Sequence, residues 1–346
     1  MGNDKEVIIF ATKDAGPAEY LAGIIKPLRR NCVIIASPVS SKVFDRYNIK
    51  NSVIDCKSQY QCDQFAAEFF KNRKIGLIIT GTSWGNCIDK SLIRYGIENH
   101  IRVISVIEHW SNYRERFLIN NSLVFPNYIL VNDKIAKKEA IKNGLPRQKI
   151  YSLGNPVLEK ESKSFTVKPN KKKWLENLRI RDSKVVTFIS EEYSQDFPES
   201  SNCSCGFNEY QVVRDILQVI DETRQLIIKL HPGEKLKKYD RFKCNKLTVI
   251  SNTDIGPLIK YSDFIIGMGS MLLLRAAIHR DDILSYRPND KKGFIGNRIG
   301  ATHLIKNKKE LHDILLQEKK IKNAGLQDQF NGSTQRIVKF IKDKLE

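Results

Sequence analysis

Asp263-Phe264-Ile265-Ile266-Gly267-Met268-Gly269-Ser270-Met271-Leu272-Leu273-Leu274 reads as a short strand, a glycine-containing turn and the start of an apolar helix. The strand part has no polar alternation, the pattern of a strand buried on both faces of a parallel sheet. Gly267 and Gly269 allow the backbone to come close to a ligand, and Ser270 suits a helix N-cap. A turn of this kind aims N–H groups and a positive helix end at one point, which makes a phosphate cradle. Tight packing of strand on helix is the competing explanation for the glycines.

The same rhythm extends in both directions. Val7 to Ala11, Val33 to Ala36, Gly76 to Thr80, Arg102 to Ile107 and Tyr128 to Val131 are strand-like in the first half. Val185 to Ser190, Gln225 to Leu230, Leu247 to Ser251, Phe264 to Ile266 and Asp282 to Ser285 repeat the pattern in the second. Amphipathic segments such as Asp63 to Lys74 and Tyr210 to Glu222 lie between them, so parallel sheets with crossover helices are predicted twice. Gly154-Asn155-Pro156 and the basic stretch after it read as a hinge. The expected division is 1–158, a linker at 159–182, 183–330, and a terminal helix at 331–346. That helix carries Ile337, Val338, Ile341 and Leu345 on one face, so it should dock. The fold class is therefore α/β: two Rossmann-like domains with parallel sheets facing across a cleft, and the C-terminal helix docking back.

Ligands of such sheets bind beyond the carboxyl ends of the strands, which selects the loops to search. After the first strand come Lys13, Asp14 and Gly16, with Pro17 suited to the first helical turn. After the third long strand come Gly81, Thr82 and Ser83, whose hydroxyls can line a pocket or cap a helix. Glu108-His109-Trp110 follows Ile107 and offers two titratable groups and an aromatic platform at one strand end. In the second half, Lys229 and His231 stand at another strand end, with Pro232 fixing the backbone direction.

Composition narrows the partners. A chain of 346 residues with 41% hydrophobic and 28% charged residues is globular and long enough for two cores. No run approaches the roughly 18 apolar residues that span a bilayer, and Met1 to Glu6 lead straight into a strand, so neither a signal peptide nor a lipid anchor is expected. Seven scattered cysteines fit a reducing, cytoplasmic compartment, and Cys203 with Cys205 lacks the second pair of a zinc site. A net charge of +19 favours anionic partners: nucleotide phosphates or an anionic membrane surface, where a peripheral location would follow. Nucleic acid would need a reading module, and no zinc finger, RRM or KH pattern is present. Oligomeric state is not legible.

At these residues the chain resembles the GT-B glycosyltransferase superfamily, bacterial surface-polysaccharide enzymes together with their sugar-nucleotide 2-epimerase and polyol-phosphate transferase relatives. His231-Pro232 is similar to the His-Pro of the capsule and polyol-phosphate transferases, and Ser262-Asp263 with Gly267 to Ser270 resembles the superfamily's diphosphate loop. Ser285 to Pro288 is like the strand-end segment facing the nucleotide. The resemblance implies that Gly267, Gly269, Ser270 and Met271 hold a donor diphosphate beside Lys229 and His231, and that Asn252, Asp254 and Ile255 border the base. One position departs: relatives carry a Glu where Arg275 stands, and an Arg cannot accept from a ribose diol. No spaced Asp-x-Asp is present either, so a metal-independent mechanism without a cofactor is expected, the nucleotide sugar serving as substrate. The reading is transfer of a sugar from a nucleotide donor to a glycan or lipid-linked acceptor, with Glu108 or His109 as base. The alternatives are a 2-epimerase using Glu191, Glu192 and His231, a polyol-phosphate transferase, and a non-catalytic nucleotide-sugar binder.

Overall fold

The computed structural model describes residues 6–71, 73–163, 165, 167–168, 170–180, 183–201, 204–251, 253–319, 321–324, 326 and 328–345. Asn252 and Cys203 lie outside the described residues. The chain divides into two compact units, Met1–Lys160 with Phe330–Glu346, and Glu161–Gln329.

The first unit holds β1 (Val7–Thr12), β2 (Cys32–Ala36), β3 (Ser52–Val53), β4 (Ile75–Thr80), β5 (Val103–Ile107), the hairpin strands β6 (Leu118–Ile119) and β7 (Ser122–Leu123), β8 (Tyr128–Val131) and β9 (Ile150–Ser152). Its main sheet runs β3-β2-β1-β4-β5-β8-β9, with every pairing parallel. Ile9 sits between Val33 and Ile78, and all of β5 is buried, as a sheet covered on both faces requires. The helix Ala15–Leu28 lays Ala18, Leu21, Ala22 and Ile25 into the core beside Ile8, Phe10 and Leu77.

The C-terminal helix Ser333–Asp343 places Ile337, Val338 and Ile341 in that same core. Glu159 receives its first turn, accepting from Gly332 N at 3.0 Å and from Thr334 N and Oγ1 at 2.8 Å. Burying each such aliphatic side chain contributes about 1.5–3 kcal/mol, whereas a carboxylate at a helix start contributes about 0.3–1 kcal/mol. Burial therefore holds the helix and Glu159 sets where it begins.

The second unit holds β10 (Lys184–Ile189), β11 (Arg224–Lys229), β12 (Leu247–Ile250), β13 (Phe264–Gly267), β14 (Leu284–Tyr286) and β15 (His303–Ile305), in the parallel order β12-β11-β10-β13-β14-β15. Val186, Phe188, Ile228 and Ile266 form the centre of its core with Val213 and Ile216 from the helix Glu209–Val219. Within the basic stretch after the first unit, the helix Lys171–Asn177 buries Trp174 and Leu175 against Val185, Ile227 and Leu258.

Both sheets thus have the doubly wound α/β form, and each reverses strand order once: between β1 and β4, and between β10 and β13. The crevice outside the carboxyl ends of such a strand pair is where ligands of open sheets bind. Residues 12–14 and 81–84 border the first crevice, and residues 190–192 and 268–270 the second. No helix among the described residues is long and apolar enough to cross a membrane.

Candidate functional site

The crevice of the first unit is filled by its own polar groups. Ser83 Oγ lies 3.2 Å from Thr12 Oγ1 and accepts from the amides of Lys13 and Asp14 at 3.2 and 3.0 Å. The buried Asp89 carboxylate accepts from Lys13 N at 3.0 Å and Ser83 Oγ at 3.0 Å, and burial raises its pKa to about 6. Lys13 turns back to donate to the carbonyls of Trp84 and Asn86, and Asp14 accepts from Trp84 N. These groups hold the β1 and β4 loops to each other.

Several expected cleft residues are corrected by this packing. Trp110 is not an open platform: it is 1% exposed, and its indole N–H donates to Asp133 at 2.7 Å. Thr82 is equally buried and donates to Val106 O, while Arg116 donates to Thr82 O at 2.8 Å. A Cβ on Gly81 would meet Thr12 Oγ1 at 2.3 Å and Pro17 at 2.6 Å, so close packing explains that glycine.

Glu108 stands differently. It follows β5, packs beside Gly16, and has its Oε1 3.6 Å from Arg116. Its Oε2 has no hydrogen-bond partner among the described residues. Burial pushes its pKa up, and the Arg116 guanidinium only partly offsets this while Asp14 adds to it. A carboxyl so placed takes and releases a proton more readily near neutrality than an exposed one. His109 is lowered by burial and by Arg116, and its Nδ1 is 2.9 Å from Ser111 Oγ.

In the second unit the glycine turn meets a carboxylate of its own chain. Gly269 N donates to Glu191 Oε2 at 2.8 Å, and burial raises the Glu191 pKa to about 7 although the amides of residues 268–270 and Arg287 pull it down. Arg287 is 2% exposed and binds Met268 O, Tyr193 Oη, Gly293 O and both oxygens of Asp290. It fixes the turn from behind. A Cβ on Gly269 would lie 2.4 Å from Tyr193 Oη and 3.0 Å from Arg287, whereas one on Gly267 would strike Leu273. Packing therefore explains Gly267, and the crowded crevice explains Gly269. Ser270 caps the helix Met271–Ala277 by accepting from Leu272 N.

The β11 end carries Lys229, whose buried ammonium donates to Leu230 O at 2.6 Å and whose pKa burial lowers; it is spent on its own backbone. His231 is half exposed, with Nδ1 3.7 Å from Glu192. Its turn is tied by Glu234, which accepts from His231 N at 2.6 Å and, with the buried Glu209, holds Lys238.

Asp254 caps the helix Ile255–Tyr261 through Gly256 N. Asp254, Ile255, Arg275 and His279 line a pocket of about 180 Å³ together with Glu161 and Phe165. Phe165 stacks on His279 at 4.0 Å, and Arg275 pairs with Glu161 at 2.6 Å. Arg275 therefore has a carboxylate against it, supplied by another segment.

Sequence reasoning missed Asp89, Arg116, Tyr193 and Asp290. Asp89, Arg116 and Tyr193 are isolated polar residues whose partners lie on different elements, whereas Asp290 pairs with Arg287 three positions before it, in the Ser285 to Pro288 segment that carried a sequence signal.

No protein-family model matches the chain, and comparison with curated proteins finds no match. Solved structures do match along the whole length. The UDP-GlcNAc 2-epimerase of Methanocaldococcus jannaschii has a TM-score of 0.67 at 18% identity, covering 97% of this chain and 99% of that one. The Neisseria meningitidis UDP-GlcNAc 2-epimerase bound to UDP-GlcNAc has a TM-score of 0.66 at 14% identity, with 97% and 100% covered. The Anabaena protein HepE in complex with UDP and glucose has a TM-score of 0.66 at 14% identity, with 98% and 99% covered. These likenesses establish the GT-B-like fold with two parallel sheets.

Proposed function

We propose that this chain binds a uridine-diphosphate sugar and inverts its C2 centre. The observation that carries the reading is the Glu191 carboxyl, with a pKa of about 7, hydrogen-bonded to the Gly269 amide at the strand-order reversal of the second sheet. C2 of a nucleotide sugar is three bonds from its β-phosphorus, so a carboxyl that shares a crevice with the diphosphate has C2 within reach. The whole-length likeness to structures of UDP-GlcNAc 2-epimerases supports this choice of reaction over transfer.

The C2 hydrogen has no neighbouring carbonyl to acidify it. The consistent route removes that proton, forms the C1=C2 bond from its electron pair and breaks C1–O, so that the diphosphate departs with the electrons. Return of a proton to the opposite face and re-addition of the diphosphate at C1 complete the inversion. Atoms balance without an oxidant. A carboxyl with a pKa near neutrality serves the proton movement on its own face of the sugar, an effect typically of about a hundred- to ten-thousandfold, and a second group, for which Glu192 and His231 are the candidates, serves the other face. The pocket holding Asp254, Ile255 and the Arg275–Glu161 pair takes the nucleoside, with Glu161 offering the diol acceptor that relatives place at position 275.

A second reading is favoured by Glu108, whose Oε2 has no hydrogen-bond partner among the described residues and could deprotonate an acceptor hydroxyl in a sugar transfer to a glycan or lipid-linked acceptor. Incubation with UDP-GlcNAc in D2O, without acceptor, separates the two. An epimerase yields the C2 epimer with deuterium at C2. Release of UDP only when acceptor is added supports transfer, nucleoside monophosphate indicates a polyol-phosphate transferase, and a thermal shift without turnover indicates a binder. Absence of C2 exchange with a panel of UDP-sugars that do bind would remove the epimerase reading.

A further inference from the structure

Three of the scattered cysteines are brought to one pocket of the first unit: Cys56, Cys62 and Cys87, beside Lys13 and Ser37. Cys56 lies in the connection after β3, and Cys62 is in the first turns of the helix Gln59–Phe70 that follows it. The Cys56 thiol stands near enough to Cys62 to raise the Cys62 pKa, while Cys87 directs its Sγ at Ser83 O, 3.7 Å away, and is 1% exposed. Cys56 is partly exposed and Cys62 is buried, so one sulfur is open to a reagent and the other waits behind it.

We propose that Cys56 and Cys62 are a reversible dithiol–disulfide pair, closed by low-molecular-weight disulfides such as oxidised glutathione. The Cys56 thiolate attacks one sulfur of the reagent, its S–S bond breaks, and the departing thiolate takes up a proton. Cys62 then loses its proton to water, attacks the Cys56 sulfur and expels the second thiol. Two cysteine thiols are oxidised and one disulfide is reduced to two thiols. Cys62 is a poor thiolate because burial, and then Cys56 itself, push its pKa up. Proximity compensates, since the second step is intramolecular. Ordinary thiols reverse the bond, which is the transient use a reducing compartment permits.

The bond would close the connection 56–62 onto the first turn of the helix Gln59–Phe70, reshaping a pocket that Lys13 of the β1 loop and Ser37 also line. This makes the first unit's crevice sensitive to the thiol–disulfide balance whatever substrate the protein takes, so the test needs no substrate.

The native, fully reduced chain is exposed to oxidised glutathione, alkylated and mapped by mass spectrometry, with a denatured sample in parallel. The expected result is loss of two alkylatable thiols, a Cys56–Cys62 linked peptide in the folded sample, and a far smaller yield of that link among mixed pairings in the denatured one. Cys62→Ser should stop at a glutathione adduct on Cys56, and Cys56→Ser should resist the reagent at both positions. A wild-type chain that accumulates the Cys56 adduct, or a disulfide that forms to Cys87 instead, overturns the proposal. Circular dichroism of both variants confirms that folding is retained.

Discussion

Glu191 accepts the amide hydrogen of Gly269 at 2.8 Å, so a carboxyl from the loop after β10 lies against the glycine turn after β13. A turn that offers N–H groups to an anion is met here by an anion of the same chain. Burial raises its pKa from near 4.5 to about 7, against the downward pull of the Gly269 amide and of Arg287. Under the proposed function, the arriving diphosphate meets a group that accepts a proton at almost no cost at neutral pH.

The first prediction concerns stability against pH. A carboxyl whose pKa is raised on folding binds more protons in the native state than in the unfolded one, so its stabilising effect is complete below about pH 4.5 and lost as pH rises through about 7. Across that window each pH unit costs up to about 1.4 kcal/mol. Glu191→Gln removes the titration. Denaturant midpoints of the wild type should fall from pH 5 to pH 8 more steeply than those of Glu191→Gln, and parallel slopes would show that Glu191 is not buried as described.

Gly269 and Gly293 make a matched comparison in the same unit. Gly269→Ala would place a Cβ against Tyr193 Oη at 2.4 Å and Arg287 at 3.0 Å, forcing the turn to move at a cost of about 1–3 kcal/mol. Gly293 has φ +75° and nothing within 4 Å of its added Cβ, so Gly293→Ala costs about 1 kcal/mol in backbone strain alone. Titration with UDP should show binding weakened at least about tenfold by Gly269→Ala, the equivalent of about 1.4 kcal/mol, and little changed by Gly293→Ala.

Arg275 and Glu161 are partly exposed, so their ion pair contributes only about 0.2–1 kcal/mol to stability. Its importance is for the ligand. Arg275→Glu sets two carboxylates against each other and should lower UDP affinity, while the exchange Arg275→Glu with Glu161→Arg restores the pair and most of the affinity. Calorimetric titration of the wild type, both single variants and the double variant measures the coupling. Additive effects would mean the pair does not act on the nucleotide.

Much of the architecture was written in the β-branched runs. Tyr128 to Val131 is read with its boundaries intact, and the other nine runs differ from the observed strands by two residues at most at either end. What escaped were β3, β6, β7, β9 and β15, which have two or three residues each and no periodicity to detect. The loops after the strands were found because strand ends are visible, but their inner chemistry was not. Ser83 and Lys13 looked like ligand groups and are spent on each other's loops. Asp89, which organises that knot, is one acid at the start of the helix Ile88–Glu98 and reads as an ordinary dipole partner. Trp110 beside two titratable residues suggested a platform, yet its indole was claimed by Asp133, twenty-three positions away. Partners of that kind are a consequence of strand order, which local sequence does not print.

The last prediction separates Glu108 from the groups around it. Its raised pKa comes first from burial, and the positive charge of Arg116 at 3.6 Å is the main force acting against that rise. If Glu108 must be ionised to take a proton, turnover falls on the acid side of its pKa, and removing Arg116 moves that fall to higher pH. Under the transfer reading, Glu108→Gln should cut turnover about a hundred- to ten-thousandfold, with the UDP-induced thermal shift unchanged; under the epimerase reading turnover should survive it. Arg116→Gln should retain turnover at high pH while its acid limb shifts upward; because Arg116 also donates to Thr82 O, its thermal stability is measured alongside. A limb that stays in place in the folded Arg116→Gln protein assigns the proton transfer to another group, and Glu191→Gln is then the variant whose pH profile should flatten.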